Sequence, residues 1–368
     1  MAHERIVVKL GTSTLTAGTH RLSAPRLVEL ARQISQLRKD GKELLIVSSG
    51  AIAAGRERLD YPHLPKELPA KQMLAAIGQP RLMALYEQIF GLYDITVAQV
   101  LLTRADLTDR RRYLNSRSTL NALLAQGTVP IVNENDTVAT EEIRVGDNDN
   151  LSALVVNLVE ADLLVLLTDQ PGLFTADPRR SRDAVFIQEV TGSEIPEALW
   201  QAAGGSSNGL GTGGMFTKLQ AADLARRSGA EVVIARGDEA DILLQLARGE
   251  GTATRFTPVA TPVEGRKRYI LAGRAGSGRL KVDEGAIQAL KRGSSLLPVG
   301  ILGVEGQFER GDTVQVLNME GREIAKGLTN YSSPDLERIR GRRSEAIEEI
   351  LGYVYGEEVI HRNNLVLL

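Results

Sequence analysis

Short apolar runs recur along the first 255 residues and are separated by stretches with a helical periodicity. The run Ile6–Leu10, interrupted only by Lys9, is typical of a strand that is buried on both faces. Similar runs, bounded by turn residues, predict further strands. These are Leu44–Val47, Ile95–Leu102, Val129–Val132, Leu163–Leu167 and Val232–Ala235.

Two of the intervening stretches carry apolar residues at helical spacing. The first begins after Ser23, a residue type that caps helix N-termini, and ends at Gly41. Its apolar face consists of Leu27, Leu30, Ala31, Ile34 and Leu37. The apolar face of the second consists of Leu151, Leu154, Val155, Leu158 and Val159. This alternation of strands and helices predicts an α/β fold, with a mainly parallel sheet sandwiched by helices.

The ends of the predicted strands indicate where a ligand would bind, because ligands of parallel sheets lie beyond the carboxyl ends of the strands. Polar or small residues follow four of the strands at this position. The four segments are Lys9–Ser13, Ser48–Ala51, Asn133–Asp136 and Thr168–Gly172. We therefore expect the functional site along this edge of the sheet.

The pattern changes near Gly276, where short β-rich runs are separated by turn residues. Such runs predict a small second domain resembling a β-barrel. They include Gln307–Phe308, Thr313–Leu317 and Ile324–Leu328. We expect a first domain over residues 1–260, a linker over 261–275 with strand character at Tyr269–Ala272, and a second domain over 276–368.

Composition excludes several classes of protein. The 368 residues are 43% hydrophobic and 24% charged, which is ordinary for a globular chain. The net charge of −2 creates no overall field that attracts nucleic acid or anionic lipid. No cysteine is present, which excludes disulfides, thiolate metal ligands and cysteine nucleophiles. With no signal segment and no apolar run of about 18 residues, the sequence predicts a soluble, cytoplasmic protein outside the membrane.

Histidine chemistry is not predicted either. The four histidines lie in polar or terminal surroundings, where we expect exposed or capping roles; they are His3, His20, His63 and His361. A histidine metal site or a Ser-His-Asp triad is therefore not expected. The chemistry must use lysine, carboxylate, amide, hydroxyl and backbone groups.

The segment Gly204–Lys218 is the strongest candidate for a phosphate-binding loop. Six glycines lie within its first eleven residues, and a helix is predicted from Met215. Unshielded backbone N–H groups that lead into a helix N-terminus suit phosphate binding. A dinucleotide motif is disfavoured because no strand precedes the glycines, and a P-loop because threonine precedes Lys218 and leucine follows it. A mobile linker is the alternative.

Further polar residues support an anion site. Burying the ammonium of Lys9 in an apolar strand is costly unless it meets a partner, and a phosphate oxygen would be one. Gly11 would let the backbone approach such a phosphate. Amides and carboxylates cluster in Asn133–Asp136 and Gly146–Asn150. Each cluster alone is typical of a turn or a helix cap, but their position beside two glycine-containing segments favours a functional role.

These residues belong to longer segments that resemble the amino-acid kinase family, and within it the members that phosphorylate the side-chain carboxylate of glutamate. The segments are VVKLGTS, IVSSGAIAAG, VPIVNENDTVA, VGDNDNLSALV, LLTDQPGLFTADPR and GLGTGGMFTKLQAAD. The C-terminal segments GRLKVDEGA, GSSLLPVGI and FERGDTV resemble a PUA domain. The resemblance covers essentially the whole chain in order. It implies a kinase domain over residues 1–260 and a PUA domain over 276–368.

The resemblance also implies roles for individual residues. Lys9 and Lys218 would flank the transferring phosphoryl group, and Asp149 would organise their ammonium groups. The implied substrate-binding residues are Ser49, Asp136 and Asn148. The implied nucleotide-binding residues are Lys9, Thr168, Asp169, Thr212, Gly213, Gly214, Met215, Phe216, Thr217 and Lys218. Phe216 occupies a position that the family leaves variable.

Substrates and partners are implied in the same way. The donor would be ATP with Mg²⁺ (as Mg-ATP), the acceptor L-glutamate and the product γ-glutamyl phosphate, at the first step of proline biosynthesis. Proline would be a feedback inhibitor, and the product would be channelled to γ-glutamyl phosphate reductase. A homodimer or homotetramer is implied, and no residue is assigned as a direct metal ligand. Specific RNA binding is not expected, because residues 276–368 contain 12 Lys and Arg against 14 Asp and Glu.

Two other interpretations stay open. One is another member of the family, such as an acetylglutamate kinase or a uridylate kinase, although neither is expected to carry a PUA-like domain. The other is an RNA-binding protein with an inactive kinase-like domain. The presence of Lys9, Asp149 and Lys218 disfavours this second interpretation.

Overall fold

The computed structural model describes residues 3–64, 67–139, 148–178, 181–204, 214–259, 261 and 278–368. These residues form two compact units. The first lies within residues 1–107 and 116–262, and the second within residues 108–115 and 263–368. Each unit has a sheet and a buried core of its own.

Strands and helices alternate up to residue 261. The strands are β1 Arg5–Leu10, β2 Glu43–Ser48, β3 Val97–Leu102, β4 Val129–Glu134, β5 Leu163–Thr168, β6 Leu173–Phe174, β7 Phe186–Ile187, β8 Glu189–Val190, β9 Glu231–Arg236 and β10 Ala253–Phe256. The helices are α1 Thr12–Thr16, α2 Ala24–Lys39, α3 Ala51–Arg58, α4 Leu68–Gly91, α5 Arg104–Thr108, α6 Arg110–Ala125, α7 Asn148–Val159, α8 Glu197–Ala202, α9 Met215–Arg227 and α10 Ile242–Ala247.

Strand β1 lies inside an eight-stranded sheet whose order is β3-β4-β2-β1-β5-β9-β10-β8. It pairs in parallel with both neighbours, so that Leu10 lies opposite Ser48 of β2 and Leu167 of β5. Strands β3, β4 and β9 continue the parallel arrangement, whereas β10 is antiparallel to β9. From β1 the chain continues to β2 on one side of β1, and later it returns to β5 on the other side. The carboxyl ends of β2, β1 and β5 therefore surround a topological switch point, where ligands of such sheets bind.

The two faces of β1 have different surroundings, because successive side chains of a strand point to opposite faces. Ile6, Val8 and Leu10 join a buried core with residues of α2 and α4, including Leu27 and Leu82. Helix α7 packs against β1 and against α9. Lys9 alternates with the core residues of β1, and its side chain meets the first turn of α7.

The second unit contains a smaller sheet in the order β12-β11-β13-β14-β15. Its strands are β11 Arg279–Val282, β12 Ile301–Glu305, β13 Thr313–Leu317, β14 Glu323–Leu328 and β15 Leu365–Leu367. Its helices are α11 Glu284–Lys291, α12 Ser333–Ile339 and α13 Ile347–Leu351. Among the described pairs, β11 and β13 are parallel and the others are antiparallel. Leu280, Val316 and Leu336 contribute to its core.

The predicted fold class is confirmed, with a mostly parallel sheet in the first unit and a small, mainly antiparallel sheet in the second. The side chain of Ser23 caps α2, as predicted, by accepting from the backbone N–H of Arg26 at 3.4 Å. The strand predicted over Ile95–Leu102 begins only at Val97. The N–H of Ile95 instead donates to the carbonyl of Phe90 and closes the end of α4.

The prediction of a β-rich run at Gln307–Phe308 is wrong, because these residues lie in a loop. The backbone N–H of Phe308 donates to the Oγ of Ser333, and its carbonyl accepts from the N–H of Ser333, so both groups are used outside a strand ladder. The segment Tyr269–Ala272, for which strand character was predicted, lies outside the described residues. Within the described ranges, no helix combines the length and the apolar character needed to span a membrane.

The histidines are only partly as predicted. His361 is a capping residue, because its Nδ1 accepts from the N–H of Asn363 at 3.1 Å. His3 is not exposed: its side chain is 11% exposed, and its Nε2 lies 3.1 Å from a carboxylate oxygen of Glu231.

Candidate active site

Asp149 lies between two lysines at the carboxyl edge of the large sheet. Its Oδ1 is 2.6 Å from the Nζ of Lys9, and its Oδ2 is 3.1 Å from the Nζ of Lys218. Asp149 is fully buried, and the lysines are 4% and 8% exposed. These three side chains, which we call the Lys-Asp-Lys cluster, are thus largely excluded from solvent.

Three different elements supply the cluster. Lys9 is the penultimate residue of β1. Asp149 lies in the first turn of α7, where the helix dipole favours a carboxylate. Lys218 lies in the first turn of α9, next to Thr217. The Oγ1 of Thr217 is 2.9 Å from the Oδ2 of Asp149 and from the carbonyl oxygen of Gly214, and its single proton serves one of them at a time.

The cluster contains two cationic groups and one anionic group. Removing an ammonium group from water is costly unless it is paired, and Asp149 offsets part of that cost for both lysines. The excess positive charge acts in surroundings of low dielectric, where it attracts an anion more strongly than it would in water. The arrangement therefore suits a group with several negative oxygens, such as a phosphoryl group.

Asn148 connects the start of α7 to the end of β2. Its Nδ2 lies 2.9 Å from the Oγ of Ser49, 3.0 Å from the carbonyl oxygen of Ser48 and 3.0 Å from the Oδ1 of Asn133. The turn after Ser49 requires Gly50, whose φ of 102° is favourable only for glycine. Two of the predicted substrate-binding residues, Ser49 and Asn148, are therefore hydrogen-bonded to each other beside Asp149.

The third predicted substrate-binding residue, Asp136, lies in the turn that follows β4 and is half-buried. Burial raises the pKa of its carboxyl above the ordinary value, because the ionised form loses hydration. A cationic ligand would offset this loss. Asp136 is thus a suitable partner for an ammonium group.

Besides Lys9, two residues predicted to bind nucleotide, Thr168 and Asp169, lie at the end of β5, which is on the opposite side of β1 from β2. The Oγ1 of Thr168 donates to the Oδ1 of Asp169 at 3.0 Å. The carbonyl of Thr168 accepts from the N–H of Gly237 at 2.8 Å. Thr168 is largely buried, whereas Asp169 is exposed.

The remaining predicted nucleotide-binding residues belong to the segment that leads into α9 and to the first turn of α9. Gly214 directly precedes the helix and has a φ of 148°. Met215 and Phe216, the first two residues of α9, are half-buried. Thr212 and Gly213 lie outside the described residues.

Three polar residues that lie next to this site were not predicted from the sequence: Gln79, Tyr86 and Gln99. The hydroxyl of Tyr86 is 2.8 Å from the Oγ of Ser48, and the Oε1 of Gln79 accepts from the Nδ2 of Asn133 at 2.9 Å. The seven-residue spacing of Gln79 and Tyr86 could have shown that they share one helix face. Nothing in the sequence around Gln99 distinguishes it.

The described residues of this site offer few ligands to a metal ion. Among the described residues, no group of three or more His, Asp or Glu side chains could hold one. Asp149 is engaged by two lysines, and Asp169 accepts from Thr168. With these described residues, Mg²⁺ would fit the site if nucleotide phosphates and water supplied most of its ligands, as is usual for this ion.

Comparison with known proteins identifies both parts of the chain. The model of the amino acid kinase family matches residues 4–236, which include the whole Lys-Asp-Lys cluster. The model of the PUA domain matches residues 278–351. The first match covers more than half of the chain.

Relatives match nearly the full length. The glutamate 5-kinase of Photobacterium profundum is 57% identical over 366 residues, which are 99% of this chain and 96% of that protein. The glutamate 5-kinase of Herpetosiphon aurantiacus is 55% identical over 365 residues, 99% of this chain and 98% of that protein. Among solved structures, a UMP kinase from Bacillus anthracis is 15% identical, with a TM-score of 0.49, over 71% of this chain and 98% of that chain. The family match and the close relatives together show that the chain belongs to the amino acid kinase family of phosphotransferases and carries a C-terminal PUA domain.

Proposed function

We propose that this chain transfers the γ-phosphoryl group of ATP to the side-chain carboxylate of L-glutamate, which yields γ-glutamyl phosphate and ADP. Relatives named glutamate 5-kinase share more than half of its residues. The observation that carries the proposal is the buried Lys-Asp-Lys cluster beside Ser49 and Asn148. In this proposal the cluster binds the phosphoryl group, next to polar groups that suit a small acceptor.

The proposed reaction needs no general base. The side-chain carboxyl of glutamate has an ordinary pKa of about 4.3, so it is already an anion at pH 7. The obstacle is the repulsion between this carboxylate and the triphosphate. Phosphoryl transfer therefore depends on positive charge and on positioning, both of which the cluster offers.

Each member of the cluster has a distinct role in this proposal. Lys9 and Lys218 would lie on either side of the transferring phosphoryl group and balance the charge that develops on its oxygens. Asp149 holds both ammonium groups with its two carboxylate oxygens. Thr168, Asp169 and residues 212–218 would contact the nucleotide. The donor is Mg-ATP, in which the metal arrives with the phosphates.

The acceptor would be bound by Ser49, Asn148 and Asp136. The half-buried carboxylate of Asp136 suits the α-ammonium group of the substrate, because an ion pair offsets the lost hydration of both groups. An N-acetylated amino acid has no such cation. The proposal therefore favours free glutamate over acetylglutamate.

The proposal also places the reaction in a metabolic context. The product would be the first intermediate of proline biosynthesis in the cytoplasm. Proline would compete with glutamate, because it has the α-carboxylate and the amino group but no side-chain carboxylate to accept a phosphoryl group. Transfer of the product to γ-glutamyl phosphate reductase and assembly into a homodimer or homotetramer are further parts of the proposal.

The test is an assay of ADP release with L-glutamate in the presence of hydroxylamine, which traps an acyl phosphate as a hydroxamate. We expect ADP and hydroxamate to form together and to require glutamate. N-acetylglutamate and UMP serve as control acceptors. Turnover with either control and none with glutamate would contradict the proposal.

A further inference from the structure

Helix α4 presents a row of polar residues to the carboxyl edge of the large sheet. Gln72, Gln79 and Tyr86 recur at intervals of seven, which places them on one face of the helix. The Nε2 of Gln72 donates to the carbonyl oxygen of Ala139 at 2.9 Å, and the hydroxyl of Tyr86 is 2.8 Å from the Oγ of Ser48. Gln79 lies between them and is 9% exposed. This helix face therefore contacts the segments that carry the proposed substrate-binding residues.

Gln79 is connected to Asn148 through one intermediate side chain. The Nδ2 of Asn148 donates to the Oδ1 of Asn133 at 3.0 Å, and the Nδ2 of Asn133 donates to the Oε1 of Gln79 at 2.9 Å. The Nε2 of Gln79 then donates to the Oε1 of Gln99 at 3.0 Å. Four side-chain amides thus form a continuous relay from α7 through β4 and α4 to β3.

A backbone group sets the direction of this relay. The N–H of Glu134 donates to the Oδ1 of Asn133 at 2.9 Å, and a backbone N–H can only donate. The Oδ1 of Asn133 must therefore face Glu134 and Asn148, and its Nδ2 must face Gln79. The amide of Asn148 then has one orientation, with its Nδ2 toward Asn133.

This orientation determines what Asn148 offers to a ligand. Its Oδ1 is buried and has no hydrogen-bond partner among the described residues. A buried acceptor without a donor is unfavourable, so a ligand that supplies one is bound more tightly. In glutamate at pH 7 only the α-ammonium group can donate, because both carboxylates are ionised and can only accept.

We infer that Gln79 is a positioning residue, which holds Asn148 through Asn133 so that the Asn148 oxygen accepts from the α-ammonium group of the substrate. This inference rests on the proposed glutamate kinase activity. Gln79 acts on the substrate only through other side chains. In this way it helps the site to select an amino acid over a dicarboxylate of the same length.

The test compares Gln79→Leu, which removes both hydrogen bonds of the side chain, with Gln79→Glu, which keeps an oxygen that can accept from Asn133. Glutarate, which has both carboxylates of glutamate and no ammonium group, serves as a competitive inhibitor. For Gln79→Leu we expect the KM of glutamate to rise about tenfold, or about 1.4 kcal/mol. The KM of ATP and the Ki of glutarate for Gln79→Leu should stay within about twofold of the parent values. The KM of glutamate for Gln79→Glu should lie closer to the parent value than that for Gln79→Leu.

Gln88→Leu on the exposed side of the same helix is the matched control and should leave all these constants unchanged. An unchanged KM of glutamate in Gln79→Leu, or a Ki of glutarate that rises equally, would overturn the inference, because the second result indicates a merely structural role. Gln79→Met provides the same comparison if the leucine variant does not fold. A parent protein without glutamate-dependent turnover would instead overturn the proposed function, and this inference with it.

Discussion

The fully buried carboxylate of Asp149 is stable because ammonium groups face both of its oxygens. Removing one partner of a buried ion pair leaves a charge that is poorly compensated. A substrate phosphoryl group would share the same two lysines. A change at either lysine should therefore affect the reaction more than it affects the binding of the acceptor.

For Lys218→Ala we expect kcat to fall about 10²–10³-fold, the loss typical of one preorganised group that faces developing charge. The KM of glutamate should change less, because the interaction strengthens in the transition state. Steady-state kinetics measure both constants. Arg227→Ala, which removes an exposed cation paired with Asp223 on the same helix, is the control and should leave kcat unchanged. An unchanged kcat in Lys218→Ala would exclude this lysine from the proposed mechanism.

For Asp136→Asn we expect a higher KM of glutamate and a near-normal KM of ATP, because the lost ion pair concerns only the acceptor. The pH dependence provides a second measurement. The pKa of Asp136 is raised by burial, so acidification protonates it at a higher pH than an ordinary aspartate. In the parent protein, the KM of glutamate should therefore rise as the pH falls toward this raised pKa.

The KM of glutamate for Asp136→Asn, divided by that for the parent protein, isolates the titration of Asp136. Titration of the substrates affects both proteins equally and cancels in this ratio. We expect the ratio of variant to parent to shrink as the pH falls, because protonated Asp136 resembles asparagine. A ratio that does not depend on pH, or equal losses for glutamate and ATP, would argue against the ion pair.

Individual residues differ in how far the sequence alone could predict their place. Lys9 was predictable, because a lysine in an otherwise buried strand needs a partner. Its pairing with Asp149 was not, since that contact depends on how α7 packs against β1. Gln79 was missed because a lone glutamine in a helix is ordinarily a surface residue.

At the scale of elements, α3 and α4 pack unusually closely through two glycines. A Cβ added to Gly78 would overlap the carbonyl oxygen of Ala51 and the backbone nitrogen of Gly55. A Cβ added to Gly55 would overlap the carbonyl oxygen of Leu74. These neighbours are backbone atoms, so a change of rotamer cannot relieve the overlap. The contact fixes α4, and with it Gln79, relative to the segment after β2.

We expect Gly78→Ala to destabilise the protein by about 1–3 kcal/mol, as overpacking does, despite the higher helix propensity of alanine. The free energy of unfolding in urea measures this. Gly91→Ala is the matched control at the C-terminal end of α4, because an added Cβ there would meet no described atom of another element within 4 Å. It should change stability by less than about 0.5 kcal/mol. Equal stability of the two variants would contradict the close packing.

Strands β1 to β5 and β9 of the large sheet were predictable from their apolar runs, because buried strands need mainly apolar sequence. Strands β8 and β10 were not predicted. The second unit was harder. The short run Gln307–Phe308 suggested a strand, yet Phe308 lies in the buried core from a loop and is hydrogen-bonded to Ser333. Two residues give too little periodicity to separate a strand from a buried loop.

At the scale of the whole molecule, the most basic segment of the second unit spans residues 338–343. Two of its arginines bond to other groups of the same unit. Arg340 pairs with Glu337 at 2.9 Å and donates to the carbonyl oxygen of Leu302 at 3.1 Å. Arg338 donates to the carbonyl oxygen of Ile350. Guanidinium groups that are bonded in this way contribute less to RNA binding than free ones. RNA binding depends on cations that contact the phosphates and release their counterions. Weak, non-specific binding of RNA stays our prediction for this unit.

Residues 108–115 belong to this second unit, although the chain on either side of them belongs to the first. The Nη1 of Arg110 donates to the Oγ1 of Thr313 at 2.6 Å, and the guanidinium of Arg310 donates to the Oδ1 of Asn115. A Cβ added to Gly311 would lie 3.1 Å from the carbonyl oxygen of Arg110. The first turns of α6 therefore depend on residues that follow position 261.

A chain that ends at Thr261 should keep glutamate-dependent ADP release, because the Lys-Asp-Lys cluster and its polar neighbours lie in the first unit. It should also be less stable, because residues 108–115 lose these hydrogen bonds. Each of the two bonds to a charged group contributes about 1.5–3 kcal/mol, so we expect Tm to fall by about 6–24 °C. Arg110→Ala in the full chain should produce part of this fall without loss of turnover. Calorimetry and kinetics measure both, and a folded but inactive truncated chain would show that catalysis requires the second unit.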